Sequence, residues 1–376
     1  MENKDNAVYT EQAIAYDKIM PASYFKEFGD NPEHMERIPY GAEFLEKGYV
    51  RYTVFAPEAK EVLICKRDEI YPLHKNEKGM WTAELFLGYG YQHINIMIDG
   101  NEVIYPLLPI GYGFSRPINY IDVPEQENVF FEICQVPHGS VCSEWVYSSN
   151  TGKYEHVNVY LPPDYYQSKE AYPVLYLQHG HGENENCWIY QGKVNFIFDN
   201  LIAQGKAVPA IIVMCNGMIQ TEGEDGRFID ETMLERMLIE DIIPYIDGKY
   251  RTKAVKEYRA MAGLSMGSMQ TSMITMKHQD QFAYAGLFSG FMQDLMRNNN
   301  SHLCEEYLST YNENMKLFFR AMGKDDEFIG TFLEDDEICK RNQIQCVRRL
   351  YEGEHEWNVW RHCIYDFLQM LFLQEG

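Results

Sequence analysis

The chain has 376 residues, about two and a half times a ~150-residue domain, so it can hold one or two cores and is no disulfide-stapled miniprotein. An apolar fraction of 45%, with 28 Tyr and 20 Phe, excludes a mainly disordered chain. With 33 Lys and Arg against 56 Asp and Glu, the formal charge of −23 repels phosphate backbones and anionic lipid, which argues against nucleic-acid and membrane partners.

Met1 to Met20 carries acidic residues where an export signal needs a basic and then an apolar stretch, and no run of ~18 apolar residues occurs anywhere. Nine Cys without a Cys-x-x-Cys pair suit buried thiols in a reducing compartment better than a disulfide framework or a zinc site. The expected location is therefore cytoplasmic. Residues 1–48 read as an N-terminal extension of mixed helical and turn signals. From Tyr49 the pattern changes to short alternating stretches, Tyr49 to Phe55, Glu61 to Cys65, Met80 to Phe86 and His93 to Ile98, with Asp99-Gly100 as a hairpin signal. Strands without intervening helices predict an antiparallel β-sandwich over 49–128.

Val123 to Asn128 is polar and contains Pro124, as a linker does. Beyond it, over 129–376, Val157 to Tyr160, Pro173 to Leu177 and Ala210 to Met214 read as buried strands, and Asn195 to Gln204 and Glu231 to Tyr250 as helices. This alternation predicts an α/β fold, a mostly parallel sheet covered on both faces.

Within it, Tyr258 to Leu264 is a short apolar strand leading into Gly263-x-Ser265-x-Gly267, and Ser268 to Lys277 can be a helix. A serine on a tight strand-to-helix turn is held above the sheet, and glycines on either side let the turn approach its neighbours. A hydroxyl is a poor nucleophile at neutral pH, so it needs an imidazole, and the imidazole needs a carboxylate that fixes its tautomer. Four His follow Ser265, and His355 lies in a polar loop directly before an apolar helix, where this chain order puts its base. His278, His302 and His362 read as structural or solvent-facing. For the acid, the strand Met315 to Met322 runs into Gly323-Lys-Asp-Asp-Glu-Phe-Ile329, which favours Asp326 with Asp325 and Glu327 as competitors; the same acidic run can also cap a helix. Asp335 and Asp336 read as an exposed turn or helix start.

Acyl transfer also needs donors aimed at the developing oxyanion. The Met266 amide follows the nucleophile, and the loop Gln178 to Trp188 leaves a strand in the position that supplies a second donor. His179 and His181 form a His-x-His pair, but no third metal ligand follows by spacing. Trp188 and Trp357 read either as aromatic walls of a cleft or as core, and Thr221 to Phe228 either borders the cleft or is a solvated loop.

The residues after 130 resemble the esterase D-like α/β-hydrolases, in particular carbohydrate esterase family 1 feruloyl esterases and enterochelin esterase-like proteins. The landmarks are Val136-Pro-His-Gly-Ser-Val141, Val159-Tyr-Leu-Pro-Pro163, Leu175-Tyr-Leu-Gln-His-Gly180, Glu183-Asn-Glu-Asn186 with Trp188, Ala262-Gly-Leu-Ser-Met-Gly267 and His355-x-Trp357-x-x-Trp360. The resemblance implies an α/β-hydrolase fold with Ser265 as nucleophile, His355 as base and Asp326 as the orienting acid. It also implies oxyanion amides at Met266 and His181, with Gly182 as the alternative. Residues 49–128 resemble early-set, glycogen-binding-like immunoglobulin domains through Phe55-Ala-Pro-Glu-Ala59, Gly79-Met-Trp81 and Ile98-Asp-Gly100. The implied activity is a serine carboxylic-ester hydrolase that releases ferulate-type acids from small-molecule or oligosaccharide esters, without metal or organic cofactor. Alternatives of the same chemistry are a carbohydrate acetyl esterase and a siderophore trilactone esterase; from another class, a catalytically inactive carbohydrate-binding protein. The oligomeric state stays open, and a homo-oligomer is compatible.

Overall fold

The computed structural model describes residues 41–373 apart from 57, 78, 106–107, 125–129, 224–225 and 293–304. Most of the expected N-terminal extension, most of the linker and His302 lie outside the described residues. Two compact units part between Val129 and Phe130.

The first unit is all antiparallel. One sheet contains Tyr49–Phe55 and Met80–Phe86; the other is centred on Val62–Lys66, Gly90–Ile98 and Arg116–Val123. Alternate side chains from both sheets, among them Val50, Tyr52, Val54, Ile64, Ile96 and Ile121, share one buried cluster. On the opposite, solvated face Arg51 pairs with Glu43 at 2.5 Å and Glu84 at 2.6 Å across neighbouring strands. Asp99 and Gly100 both have positive φ, 49° and 78°, and turn Gly90–Ile98 back into Asn101–Val103. The sheet begins at Ala42, ahead of Tyr49, because Ala42–Phe44 pairs with Tyr49–Phe55. A three-residue strand is too short to display the alternation by which the others are read.

The second unit is built on eight strands: β1 (Ser140–Ser148), β2 (Lys153–Leu161), β3 (Val174–Gln178), β4 (Ile211–Cys215), β5 (Arg259–Leu264), β6 (Tyr284–Phe288), β7 (Leu317–Gly323) and β8 (Val347–Tyr351). Their spatial order is β1-β2-β4-β3-β5-β6-β7-β8. The β1, β2 and β4 pairings are antiparallel, and all the others are parallel. Strands β3 to β6 are buried at every residue, as a sheet covered on both faces requires. Four helices matter for the site: α1 (Val194–Ala203), α2 (Met266–Lys277), α3 (Ile329–Arg341) and α4 (Trp357–Met370). The alternation along β6 shows the two layers, since Ala285 and Leu287 cluster with Met276 of α2 while Gly286 faces Phe367 of α4.

The expected single helix from Glu231 to Tyr250 is interrupted. Glu231–Arg236 passes into a π-helical segment, Met237–Ile242, and then into Ile243–Lys249. Pro244 has no N–H to donate, and the widened turn, in which the Ile243 N–H reaches back to the Leu238 carbonyl, accommodates it. All eight described cysteines are free, and Cys187, Cys215, Cys339 and Cys363 are buried.

Asp335 and Asp336 are not an exposed turn. They lie inside α3, and Asp335 is fully buried. The reason is Arg320 on β7, itself fully buried, which donates to Asp336 at 2.7 Å and to the Phe332 carbonyl at 2.9 Å and stands 3.6 Å from Asp335. Asp335 also accepts the Met292 N–H at 2.7 Å. A buried cation needs such partners. Asp335→Ala, which removes one of the two carboxylates beside buried Arg320 and the acceptor of the Met292 N–H, is expected to cost about 3–5 kcal/mol of stability in denaturant titration, whereas Asp325→Ala at an exposed position should change it by no more than about 0.5 kcal/mol.

Candidate active site

Strand β5 ends at Leu264, α2 begins at Met266, and Ser265 alone makes the turn with φ 51° and ψ −119°. An L-residue pays backbone strain there, which the surroundings over-determine. The Ser265 N–H donates to the Phe288 carbonyl at 2.9 Å, and its own carbonyl accepts the Ser268 hydroxyl at 2.7 Å. A Cβ on Gly263 would lie 2.4 Å from the Gly267 carbonyl oxygen, and one on Gly267 2.4 Å from that of His179, so both positions exclude any side chain. The helix thus starts two residues before Ser268, directly after the serine.

His355 lies in the loop between β8 and α4. Its Nε2 is 2.9 Å from the Ser265 Oγ, and its Nδ1 is 2.9 Å from the Asp326 carboxylate. With the proton on Nδ1 shared with Asp326, Nε2 is the acceptor for the serine hydroxyl. Of the three acidic candidates, the structure turns Asp326 inward, 1% exposed, and leaves Asp325 and Glu327 in solvent. The loops after β7 and β8 are laced together, the Lys324 N–H donating to the Tyr351 carbonyl at 2.8 Å and the Asp325 N–H to that of Gly353 at 3.0 Å. That lacing carries Asp326 to His355. Burial works against the charge on Asp326, but hydrogen bonds with His355 and the Phe328 N–H outweigh it and hold the carboxyl below its usual range.

The loop after β3 passes beside the serine; a Cβ on Gly180 would stand 3.4 Å from the Ser265 Cβ. The Gly180 N–H donates to Glu183 at 2.9 Å, and the Gly182 N–H is directed at the Met218 sulfur at 3.4 Å. The His181 amide, between them, has no acceptor among the described residues. Met266, as the first residue of α2, has no intrahelical acceptor for its own N–H. The His181 side chain is exposed.

His179 is buried, with Nδ1 2.8 Å from the Gly180 carbonyl and Nε2 accepting the Gly217 N–H at 3.0 Å. Burial pushes its pKa down, so it is a neutral strut between the loops after β3 and β4. Trp188 and Trp357 are core residues, 1% and 3% exposed, meeting edge to face at 5.1 Å; they do not wall a cleft. His278 bonds Glu235 at 2.8 Å, and His362 stacks on Tyr351. Thr221 to Phe228 forms most of a two-stranded hairpin, Gln220–Gly223 with Gly226–Ile229. A second serine–histidine–carboxylate chain, Ser143–His156–Glu185 at 2.6 and 2.7 Å, joins the β1–β2 hairpin to the loop after β3. There the serine is an exposed mid-strand residue, so hydrogen-bond distances alone do not define a nucleophile. In the sequence Glu183 stands only as part of a family landmark, with no role of its own; its one further signal is a carboxylate inside a glycine-containing loop.

The profile of the esterase family matches residues 148–371. The chain belongs to the esterase family. It is 36% identical over 362 residues, 92% of this chain and 48% of the relative, to an endo-1,4-beta-xylanase/feruloyl esterase of Xylanibacter ruminicola. The chain spans about half the length of the curated relatives it matches. A solved ferulic acid esterase superposes with TM-score 0.54 at 25% identity, covering 62% of this chain and 97% of that one. The enterobactin esterase of Shigella flexneri superposes with TM-score 0.65 at 12% identity over 90% of this chain and 97% of its own. The family resemblance read from the sequence is thereby borne out, and so is the α/β-hydrolase-like fold. Among the described residues no helix is long and apolar enough to cross a membrane.

The lowered pKa of Asp326 has a definite sign. A carboxyl with a depressed folded-state pKa adds stability above its unfolded value, near 3.8, and loses it as pH falls through the folded value. Thermal melts between pH 7 and 2 should therefore show a smaller loss of stability below about pH 4 for Asp326→Asn than for the wild type.

Proposed function

We propose that the chain is a serine carboxylic-ester hydrolase that acts through an acyl-enzyme on Ser265 and releases ferulate-type hydroxycinnamic acids from carbohydrate esters. The observation that carries the reading is the run Ser265–His355–Asp326, with both hydrogen bonds at 2.9 Å and the serine on a strained elbow. His355 takes the proton as the Ser265 oxygen adds to the ester carbonyl, then gives it to the departing alcohol as the tetrahedral intermediate collapses. Water enters, gives a proton to the same imidazole, and attacks the acyl group; collapse returns the proton to Ser265 and releases the acid. Asp326 stays ionised and stabilises the imidazolium, and the Met266 and His181 amides receive the negative oxygen.

The ferulate preference is supported by the Xylanibacter relative, whose name couples feruloyl esterase to xylanase, and by the ferulic acid esterase structure. The Shigella enterobactin esterase, alike over both units at 12% identity, supports the fold. For the first unit the reading is an early-set immunoglobulin-like sandwich, supported by two antiparallel sheets around one core. Ser265→Ala is expected to lower turnover of an activated ester by roughly 10⁴-fold or more with folding intact. With methyl ferulate, an acetylated xylo-oligosaccharide and a catechol trilactone side by side, methyl ferulate should give the highest kcat/KM, and intact-mass measurement should find a feruloyl adduct on Ser265. Preference for either rival ester would replace the ferulate assignment, and an active alanine variant would remove Ser265 from its role.

A further inference from the structure

The mechanism above leaves one acidic side chain at the site without a task. Glu183 sits five residues after Gln178, the end of strand β3, on the loop that carries His181. Its Oε2 accepts the Gly180 N–H at 2.9 Å, and its Oε1 accepts the Trp357 indole N–H at 2.9 Å. Gly180 is the residue before His181; Trp357 opens α4 and lies two residues after His355. A Cβ on Gly180 would lie 3.3 Å from Glu183 Oε2 and 3.4 Å from the Ser265 Cβ. The carboxyl therefore joins the loop offering the second amide to the segment offering the base, immediately behind the nucleophile.

We propose that Glu183 is a positioning residue that fixes the His181 amide relative to His355 and so holds both halves of the acyl-transfer site at their working separation. The inference rests on the hydrolase reading of Ser265. Both ends of the link are stiff. Trp357 packs edge to face on Trp188 and on Trp360, and Trp360 in turn meets the His355 ring edge-on at 5.1 Å. On the other side, the Trp188 indole donates to the Gln178 carbonyl at 2.8 Å, and His179 is tied to both the Gly180 carbonyl and the Gly217 amide. Glu183 closes a ring of contacts from β3 through the tryptophans to His355 and back.

Burial pushes the Glu183 carboxyl up to about 8, against the two N–H donors that favour its ionised form. Near neutral pH it is thus held mainly as the uncharged acid, and no second anion opposes the negative oxygen that develops beside Ser265. The link costs little electrostatically where the reaction is most sensitive, and it supplies alignment. A displacement of an aligned group by about 1 Å lowers rate by about 10²-fold.

The test uses Glu183→Leu, which keeps bulk and removes both acceptors, and Glu183→Gln, which keeps one acceptor and no charge. Steady-state and burst kinetics on p-nitrophenyl acetate are read beside thermal melts of the full chain. The expected result is a kcat about 10²-fold lower for Glu183→Leu, an acylation burst slowed in parallel, KM within about threefold of wild type, and recovery of at least tenfold of the loss in Glu183→Gln. A Leu variant with kcat within about threefold of wild type, or one impaired only through a raised KM, overturns the inference. Should the Leu variant fail to fold, Glu183→Gln carries the test, with a five- to tenfold loss in kcat expected and wild-type kcat overturning it. A wild-type protein that turns over no ester overturns the hydrolase reading, and this inference with it; an active wild type beside an unimpaired variant overturns this inference alone.

Discussion

Backbone packs directly on backbone at the serine elbow, and the rest of the site is arranged around that contact. Gly263 lies against the Gly267 carbonyl and Gly267 against that of His179, at separations that leave no room for a Cβ. Because the start of α2 can press this closely on the ends of β3 and β5, Ser265 is forced into its left-handed, strained conformation and stands clear of the sheet. The other contributors arrive from the carboxyl ends of neighbouring strands, the loop after β3 with His181, the loop after β7 with Asp326 and the loop after β8 with His355. A parallel sheet delivers all of these to one edge, which is why residues spread from 181 to 355 can meet.

Two carboxyls at this edge receive opposite treatment from their surroundings. Asp326 is as buried as any core residue, yet His355 and the Phe328 N–H keep it ionised. Glu183 accepts two N–H groups but has no cationic partner among those shaping its pKa, so desolvation prevails and it tends to stay protonated. The same competition, decided once by a hydrogen-bonded imidazole and once by burial, leaves one negative charge where the proposed mechanism forms an imidazolium and withholds another from where it forms an oxyanion.

Much of this was legible in the residues. Gly263-x-Ser265-x-Gly267 after an apolar strand specifies an elbow through steric need, and a histidine in a polar loop before an apolar helix has few other readings. Asp326 could be narrowed only to an acidic run, because which of three adjacent carboxyls turns inward depends on how the loops after β7 and β8 are laced. Asp335 was misread because its partner, Arg320, is adjacent in space only once β7 and α3 have packed. Trp188 and Trp357 were equally ambiguous, since an aromatic beside a site and one beneath it look alike in sequence; their mutual edge-to-face contact decides it. Glu183, named only within a landmark motif, had no legible role for a related reason, as its partners are a backbone amide and an indole far along the chain. Interactions between remote segments carry no local period.

The free cysteines of the second unit give the fold a built-in chemical clock. Cys215 on β4 and Cys363 on α4 are buried, and burial pushes the Cys215 thiol up to about 12 and that of Cys363 well above its ordinary value. Alkylating reagents attack the thiolate, so the folded protein withholds these sulfurs twice, by enclosure and by protonation. Their modification rate in a native sample accordingly reports how often the sheet and its covering helix come apart.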